Sequence, residues 1–139
     1  MSKTYRYAIH PSNLPKGAAA CIVWALKQWE KASKGRVRFE PGKKADIMFS
    51  GGQPPDGKLA YRYELGNDIH SIIFDPAQPW STTWWHRLNG RNPDFRTFAL
   101  HEVGHVVLGP AHSNDPDSIM YFQPAVSHID PTSIQAVTR

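Results

Sequence analysis

The sequence HEVGHVVLGPAH, which begins at His101, combines three histidines with one glutamate. His101 and His105 are four residues apart, so on a helix their side chains project from one face, one turn apart. Glu102 is placed to reach a water molecule rather than a metal ion. Gly109 can end the helix and turn the chain back, which lets His112 supply a third imidazole. Three neutral imidazoles around a zinc ion leave a fourth position open for water, an arrangement typical of catalytic zinc sites.

A surface helix with two solvated histidines is the simplest alternative for the pattern HExxH alone. Two further features favour a metal site. His112 follows a glycine at a spacing that allows a return to the helix, and the segment Ser118-Ile119-Met120-Tyr121 lies downstream. A methionine in such a position often only fills a core. The spacing here would also allow a turn to place Met120 beneath the zinc ion.

These residues resemble the pattern HExxHxxGxxH followed by a methionine-containing turn, the Met-turn, of the metzincin zinc endopeptidases. Within that clan the chain resembles the matrixins, the catalytic domains of matrix metalloproteinases. Other segments resemble matrixin strands and helices in the family's order, namely residues 5–9 with 13–15, 25–30, 45–49 and 130–137. The resemblance therefore covers nearly the whole chain.

The resemblance implies an α+β fold, in which a twisted mixed five-stranded sheet packs with three helices and one helix carries HExxH. It also implies one domain over residues 1–139. The implied activity is that of a zinc-dependent endopeptidase, with His101, His105 and His112 as zinc ligands, Glu102 as general base and Met120 in the Met-turn. The alternative is a non-catalytic descendant that binds zinc or peptide through the same cleft. The presence of Glu102 favours the enzyme, because a structural zinc site has no need of that acid.

The motif departs from the family at one point. Three residues, Val106, Val107 and Leu108, separate His105 from Gly109, where the family has two. One extra helical residue rotates the following chain by about 100° and lengthens the helix by about 1.5 Å. We expect a wide turn or bulge at these three residues, with a conformation at Gly109 that other residue types resist. A regular helix with the third histidine turned away would favour the non-catalytic alternative.

The resemblance also implies where substrate binds. Leu59-Ala60-Tyr61 corresponds to the edge strand that pairs with an extended peptide, although an ordinary exposed edge is the alternative. The segment after the Met-turn, Phe122-Gln123-Pro124, corresponds to the wall of the specificity pocket. Matrixins usually have Pro-x-Tyr at this wall, so the depth of the pocket cannot be transferred from the family.

Further metal sites of the family are less well represented. Tyr61 and Ile73 stand where matrixins have two ligands of a structural zinc ion, and neither can replace an imidazole. We therefore expect one catalytic zinc ion and no structural one. Asp75, Pro76 and Ala77 occupy a segment that is rich in acids in the family, and calcium needs six to eight oxygen ligands. Calcium binding is left open.

Composition limits the other classes of function. The chain has 139 residues and a net charge of +4, but it has no recognition helix or aromatic-basic module, so we expect no specific nucleic-acid partner. It has no apolar run long enough for a membrane span and no secretory apolar segment at its start, and its location is not assigned. Cys21 is the only cysteine, which excludes an internal disulfide, and we expect it to be buried. We expect a monomer.

Hydrophobic periodicity and turn residues predict the individual elements. A helix is predicted over 16–34, ended by Gly35, and a last helix begins at Asp130 and Pro131. The helix that carries the histidines is predicted to start with Asn92 as N-cap and Pro93 in its first position, and to reach Leu108. Strands are predicted over 5–9, 37–40, 45–50, 59–64 and 71–75. A loop is predicted over 76–90, and it holds Trp80, Trp84 and Trp85 as well as His86.

Overall fold

The computed structural model describes residues 2–83 and 92–139, and within them a five-stranded sheet packs with three α-helices. The elements in chain order are β1 (Lys3–Ile9), α1 (Ala18–Ala32), β2 (Val37–Pro41), β3 (Ile47–Gly51), a 3-10 turn (Pro55–Gly57), β4 (Ala60–Glu64), β5 (His70–Phe74), α2 (Phe95–Leu108) and α3 (Pro131–Val137). The expected α+β fold with a mixed sheet is confirmed. The predicted loop residues Trp84, Trp85 and His86 lie outside the described residues.

The sheet has the strand order β2-β1-β3-β5-β4. Strands β1, β2, β3 and β5 pair in parallel. β4 runs antiparallel to β5, with Ala60 opposite Phe74 and Glu64 opposite His70. β4 is therefore an edge strand, and its outer backbone groups are available for pairing with another extended chain.

Helix α1 covers one face of the sheet. Its buried positions, which include Ile22, Leu26 and Trp29, recur at spacings of three and four and form an apolar stripe. They pack with the fully buried sheet residues Phe49 and Ile72. Cys21, one turn before Ala25 on this helix, is 1% exposed, which confirms its expected burial.

Helix α2 begins two residues later than predicted. Its N-cap is Asp94, whose side chain accepts a hydrogen bond from the backbone N–H of Arg96 at 3.0 Å, so the assignment of Asn92 as N-cap and Pro93 as first helical residue is wrong. The cause is a tertiary contact. The backbone N–H of Ser81 donates to the Pro93 carbonyl at 2.8 Å, and the Ser81 carbonyl accepts from the Phe95 N–H at 2.9 Å, which holds this backbone extended up to residue 94.

Buried contacts fix α2 between α1 and the edge of the sheet. The indole N–H of Trp29 donates to the Leu100 carbonyl at 2.9 Å. At the start of α2, the ring of Phe95 lies 4.3 Å from that of Phe74 and 5.2 Å from that of Trp80, measured between ring centroids. These contacts bring the histidine-bearing helix alongside β4 and β5.

Candidate active site

The two histidines of HExxH lie on α2 and are both buried. His101 is 3% exposed and His105 is 7% exposed. Their Nε2 atoms are 3.1 Å apart. A spacing of four residues on a regular helix places both rings on one face, as the sequence predicts.

Backbone carbonyls fix the orientation of both rings. The Nδ1–H of His101 donates to the carbonyl oxygen of Ile119 at 2.6 Å, and the Nδ1–H of His105 donates to that of Gly109 at 2.9 Å. A neutral imidazole has one donor and one acceptor nitrogen, so both Nε2 atoms are left as acceptors. Outer hydrogen bonds of this kind are typical of histidines that bind a metal through the other nitrogen.

His112 joins this pair as a third nitrogen donor. Its ring centroid lies 5.4 Å from that of His101 and 4.9 Å from that of His105. One nitrogen from each of the three residues lies within 4.8 Å of the other two. Ligand nitrogens about 2.0–2.1 Å from a zinc ion lie about 3.4 Å apart in a tetrahedron. The three histidines therefore fit a zinc ion with small movements.

The extra residue of the motif does not produce the expected bulge. Helix α2 is regular through Leu108, and the Gly109 N–H donates to the His105 carbonyl at 3.0 Å with normal α-helical spacing. The prediction of a wide turn at Val106, Val107 and Leu108 is wrong. It assumed that only a distortion of the helix could return His112 to the site, whereas the chain turns after the helix has ended.

The reversal takes place at Gly109, whose backbone has φ 100° and ψ −175°. Residues with a Cβ atom rarely adopt this conformation, so the expected special role of this glycine is confirmed. Beyond it, the Ser113 N–H donates to the Met120 carbonyl at 2.8 Å. This contact ties the loop that carries the third histidine to the segment around Met120.

Met120 packs against the middle of α2. It is 4% exposed, and its Sδ atom fills the space beside Gly104 that a Cβ atom would need. Its backbone N–H donates to the Ser118 hydroxyl at 3.0 Å. The preceding residue, Ile119, supplies the carbonyl that orients His101. The segment from Ser118 to Met120 therefore packs against the histidine-bearing helix and helps to orient His101.

Glu102 lies next to the three histidines in a water-poor environment. It is 5% exposed, and its Oε2 atom is 4.0 Å from the Nε2 atom of His101. Burial raises the pKa of this carboxyl to about 7, although the charges of Arg62 and Lys58 act in the opposite direction. A carboxyl with a pKa near neutrality can both accept and return a proton.

Burial also keeps the histidines neutral. It lowers the pKa of His101 to about 3 and that of His105 to about 4, with mutual repulsion among the imidazoles adding to the effect. The pKa of His112 is lowered in the same direction by burial. Neutral imidazoles are the form that binds a metal ion.

The histidines and Glu102 form the floor of a cleft of about 710 Å³. The six residues predicted to contact substrate all line it: Leu59, Ala60 and Tyr61 on the β4 side, and Phe122, Gln123 and Pro124 on the opposite side. Phe122 is 57% exposed, so this wall leaves a large apolar surface open to solvent. The edge of β4 faces the same cleft.

Several lining residues were not predicted from the sequence. Lys58 and Arg62 flank the predicted segment on β4, and Phe98 lies one turn before Glu102 on α2. The alternation of side chains along a strand indicated that Arg62 shares a face of the sheet with buried Ala60. Nothing local indicated that this face meets the cleft.

Tyr61 and Ile73 are direct partners across β4 and β5. Neither side chain offers a ligand atom for zinc. Among residues 2–83 and 92–139, the histidines of the cleft are the group of three that could hold a metal ion.

No helix in the described part of the chain is long and apolar enough to cross a membrane.

The sequence model of the matrixin family matches residues 2–136. Matrilysin of Felis catus is 34% identical over 136 residues, which cover 85% of this chain and 47% of that protein. Matrix metalloproteinase-20 of Homo sapiens is 36% identical over 134 residues, which cover 85% of this chain and 26% of that protein. A probable matrix metalloproteinase of Invertebrate iridescent virus 3 is 36% identical over 108 residues, which cover 73% of this chain and 27% of that protein. The chain spans less than half the length of these curated relatives, and it belongs to the matrixin family.

Proposed function

We propose that this chain is a zinc-dependent endopeptidase that hydrolyses peptide bonds of proteins. One observation carries the proposal: the buried carboxylate of Glu102 lies 4.0 Å from a ligand nitrogen of a three-histidine group at the floor of an open cleft. Membership of the matrixin family and the metalloproteinase relatives support a zinc metalloendopeptidase at the level of the family. We also propose that residues 1–139 act as one domain.

His101, His105 and His112 would hold the zinc ion through their nitrogen atoms. When bound there, zinc supplies a lowered pKa for a water molecule and polarisation of the carbonyl of the peptide bond to be cut. The Ile119 and Gly109 carbonyls keep the first two rings in the required orientation. The third histidine is exposed, which leaves one side of the site open to solvent and peptide.

Glu102 is the proposed general base. Its carboxylate takes a proton from the attacking water and then delivers it to the nitrogen of the departing amine. Positioned proton transfer of this kind contributes a factor of about 10²–10⁴ to the rate. Burial suits the role, because few water molecules compete for the carboxylate.

The β4 edge is the proposed binding surface for an extended substrate. A peptide that adds as a further strand has its backbone fixed by hydrogen bonds, which leaves specificity to side-chain pockets. Leu59, Ala60 and Tyr61 supply that edge, and the segment from Phe122 to Pro124 would contact side chains on the opposite side. We propose that the chain acts as a monomer on protein or peptide substrates.

The rival proposal is a non-catalytic domain that binds zinc or peptide. Digestion of casein or gelatin by zinc-loaded protein, with and without a chelator, separates the two. We expect digestion that the chelator abolishes and added zinc restores. His112→Ala should lose both zinc and digestion, whereas the matched control His128→Ala, at an exposed histidine that does not line the cleft, should keep both. If the parent protein binds one equivalent of zinc but digests neither casein nor gelatin, the non-catalytic proposal is favoured.

A further inference from the structure

Two cations flank the part of β4 that faces the cleft. Lys58 precedes the segment Leu59–Tyr61 and Arg62 follows it, and both side chains belong to residues that line the cleft. Four residues of extended chain span about 13 Å. A peptide lying beside this edge would therefore pass both positive charges.

Arg62 is a fixed and largely buried cation. Its side chain is 9% exposed. One guanidinium N–H donates to Nδ1 of His70 at 3.0 Å, and the same nitrogen is 4.0 Å from the Glu64 carboxylate. The Nε2–H of His70 in turn donates to Asp68 at 2.7 Å. This chain of contacts holds the guanidinium in place before any ligand arrives, which lowers the entropy cost of using it in recognition.

Arg62 also retains unused hydrogen-bonding capacity. Its Nε atom is buried and has no hydrogen-bond partner among the described residues. Because this atom has almost no solvent-accessible surface, a carboxylate in the cleft interacts with Arg62 mainly through charge and not through this N–H.

Lys58 is the exposed member of the pair. Its Nζ atom lies 5.6 Å from the ring centroid of Tyr61. No carboxylate of the described residues lies within ion-pair distance of it. Lys58 and Arg62 line the same cleft as Glu102.

The opposing charges in the cleft are few. Asp56 and Glu102 are the acids that line it, and Glu102 faces the histidines. The opposite wall of Phe122, Gln123 and Pro124 carries no charge. A neutral peptide would leave Lys58 without a counter-charge and Arg62 with only the more distant Glu64 carboxylate, 4.0 Å away.

We propose that Lys58 and Arg62 make the cleft selective for peptides that carry an acidic side chain near the cleaved bond. This inference rests on the proposed peptidase function and adds a substrate class to it. A carboxylate facing either cation gains a charge-assisted contact that the matching amide cannot provide. We call the ratio of kcat/KM for a glutamate peptide to that for its glutamine counterpart the acid preference.

The first test measures the acid preference in peptides that differ by one Glu-for-Gln exchange at each position around the cleaved bond. We expect at least one position with a preference of about twofold to fivefold, the size expected for a partly exposed ion pair. Lys58→Gln should reduce it at one such position. The matched control Arg38→Gln removes a positive charge at β2, the opposite edge of the sheet, and should leave the preference unchanged. Equal values for every Glu and Gln pair, or equal losses in both variants, would overturn the proposal.

The second test addresses Arg62 and does not depend on catalysis. Binding of the same peptides to zinc-loaded Glu102→Gln protein is measured with Arg62 intact and with Arg62→Met. We expect tighter binding of the Glu peptide with Arg62 intact, and loss of that difference in Arg62→Met. If Arg62→Met weakens the binding of both peptides equally, Arg62 has only a structural role, which would contradict its part in selectivity. A binding preference without turnover in the parent protein would remove the peptidase proposal and keep the selectivity. Turnover without any acid preference would keep the peptidase proposal and remove the selectivity.

Discussion

The Sδ atom of Met120 occupies the space that a Cβ atom on Gly104 would need. The same Cβ atom would lie 2.8 Å from Cζ2 of Trp29, a fully buried side chain of α1. Gly104 is thus the point where the first helix, the histidine-bearing helix and the Met120 segment meet. It precedes His105 directly, so any shift there is transmitted to a proposed zinc ligand.

Gly104→Ala should destabilise the protein by about 2 kcal/mol, because overpacking a tight core outweighs the usual gain of about 1 kcal/mol for alanine in a helix. Chemical denaturation measures the change. Gly104→Ala combined with Met120→Ala should lose less stability than the sum of the two single variants, since removing the thioether relieves one of the two clashes. Strict additivity would contradict the contact.

Met120→Leu should cost less than about 1.5 kcal/mol and leave zinc binding intact, because the side chain packs against α2 and is not among the proposed ligands. Thermal unfolding and zinc analysis of the purified variant give the two values. Loss of zinc in a folded Met120→Leu protein would show that the thioether does more than support the helix.

Gly109→Val should destabilise the protein by about 1–3 kcal/mol and weaken zinc binding. Apart from its chain neighbours, no atom of residues 2–83 and 92–139 lies within 4 Å of a Cβ placed there, so we attribute the loss to the backbone conformation. The carbonyl of Gly109 also accepts the Nδ1–H of His105, which links the backbone to a proposed ligand. Unfolding curves and a competitive zinc titration measure both effects.

Gly52→Ala is the matched control for Gly109→Val, because its Cβ atom would meet Ile73 at an ordinary contact distance of 3.7 Å. Equal losses in the two variants would argue against a special role for the reversal at Gly109.

Much of the fold was predictable because its signals are local. The apolar stripe of α1 predicted a helix that proves two residues shorter at each end, and Asp130 with Pro131 marked the start of α3 correctly. The start of α2 was missed because Asn92, Pro93 and Asp94 are all acceptable helix starters. Backbone pairing between Asp94 and Ser81, which is distant in sequence, determines that the helix starts after Asp94.

The site was predictable to the extent that it is carried by one helix and its following loop. The regular course of α2 past the extra residue could not be derived, because spacing alone does not say whether a helix bends or whether the loop absorbs the rotation. The cation at Arg62 was missed for a similar reason. Its guanidinium is held by a hydrogen bond to His70 on the neighbouring strand, a contact that depends on strand register.

Asp130 joins the Met120 segment to α3 and should make stability depend on pH. Its carboxylate accepts from Ser118 Oγ and Ile119 N, both at 3.0 Å, and from Ser133 Oγ at 2.9 Å. Burial alone would raise the pKa of Asp130, but these hydrogen bonds outweigh it and lower the pKa. The stabilisation of the folded protein by Asp130 is therefore complete above the ordinary aspartate pKa of about 4. It is lost as the pH falls through the lower pKa that Asp130 has in the folded protein.

Asp130→Asn should cost about 2 kcal/mol near neutral pH, the size expected for hydrogen bonds to a charged group. The difference from the parent protein should shrink as the pH falls below 4. Asp117→Asn, at an exposed aspartate of the same loop, is the control and should show little change. A pH-independent difference for Asp130→Asn would contradict an ionised Asp130.

The most direct measurement of the central claim is peptide cleavage by Glu102→Ala protein whose zinc content is determined in the same sample. We predict one zinc ion per chain in both the parent protein and the variant, cleavage by the parent, and no cleavage by the variant, because Glu102 is proposed as a base and not as a ligand. Retained cleavage by zinc-loaded Glu102→Ala protein would contradict the account. Loss of zinc from the variant would contradict it as well, since the carboxylate would then have to contact the metal.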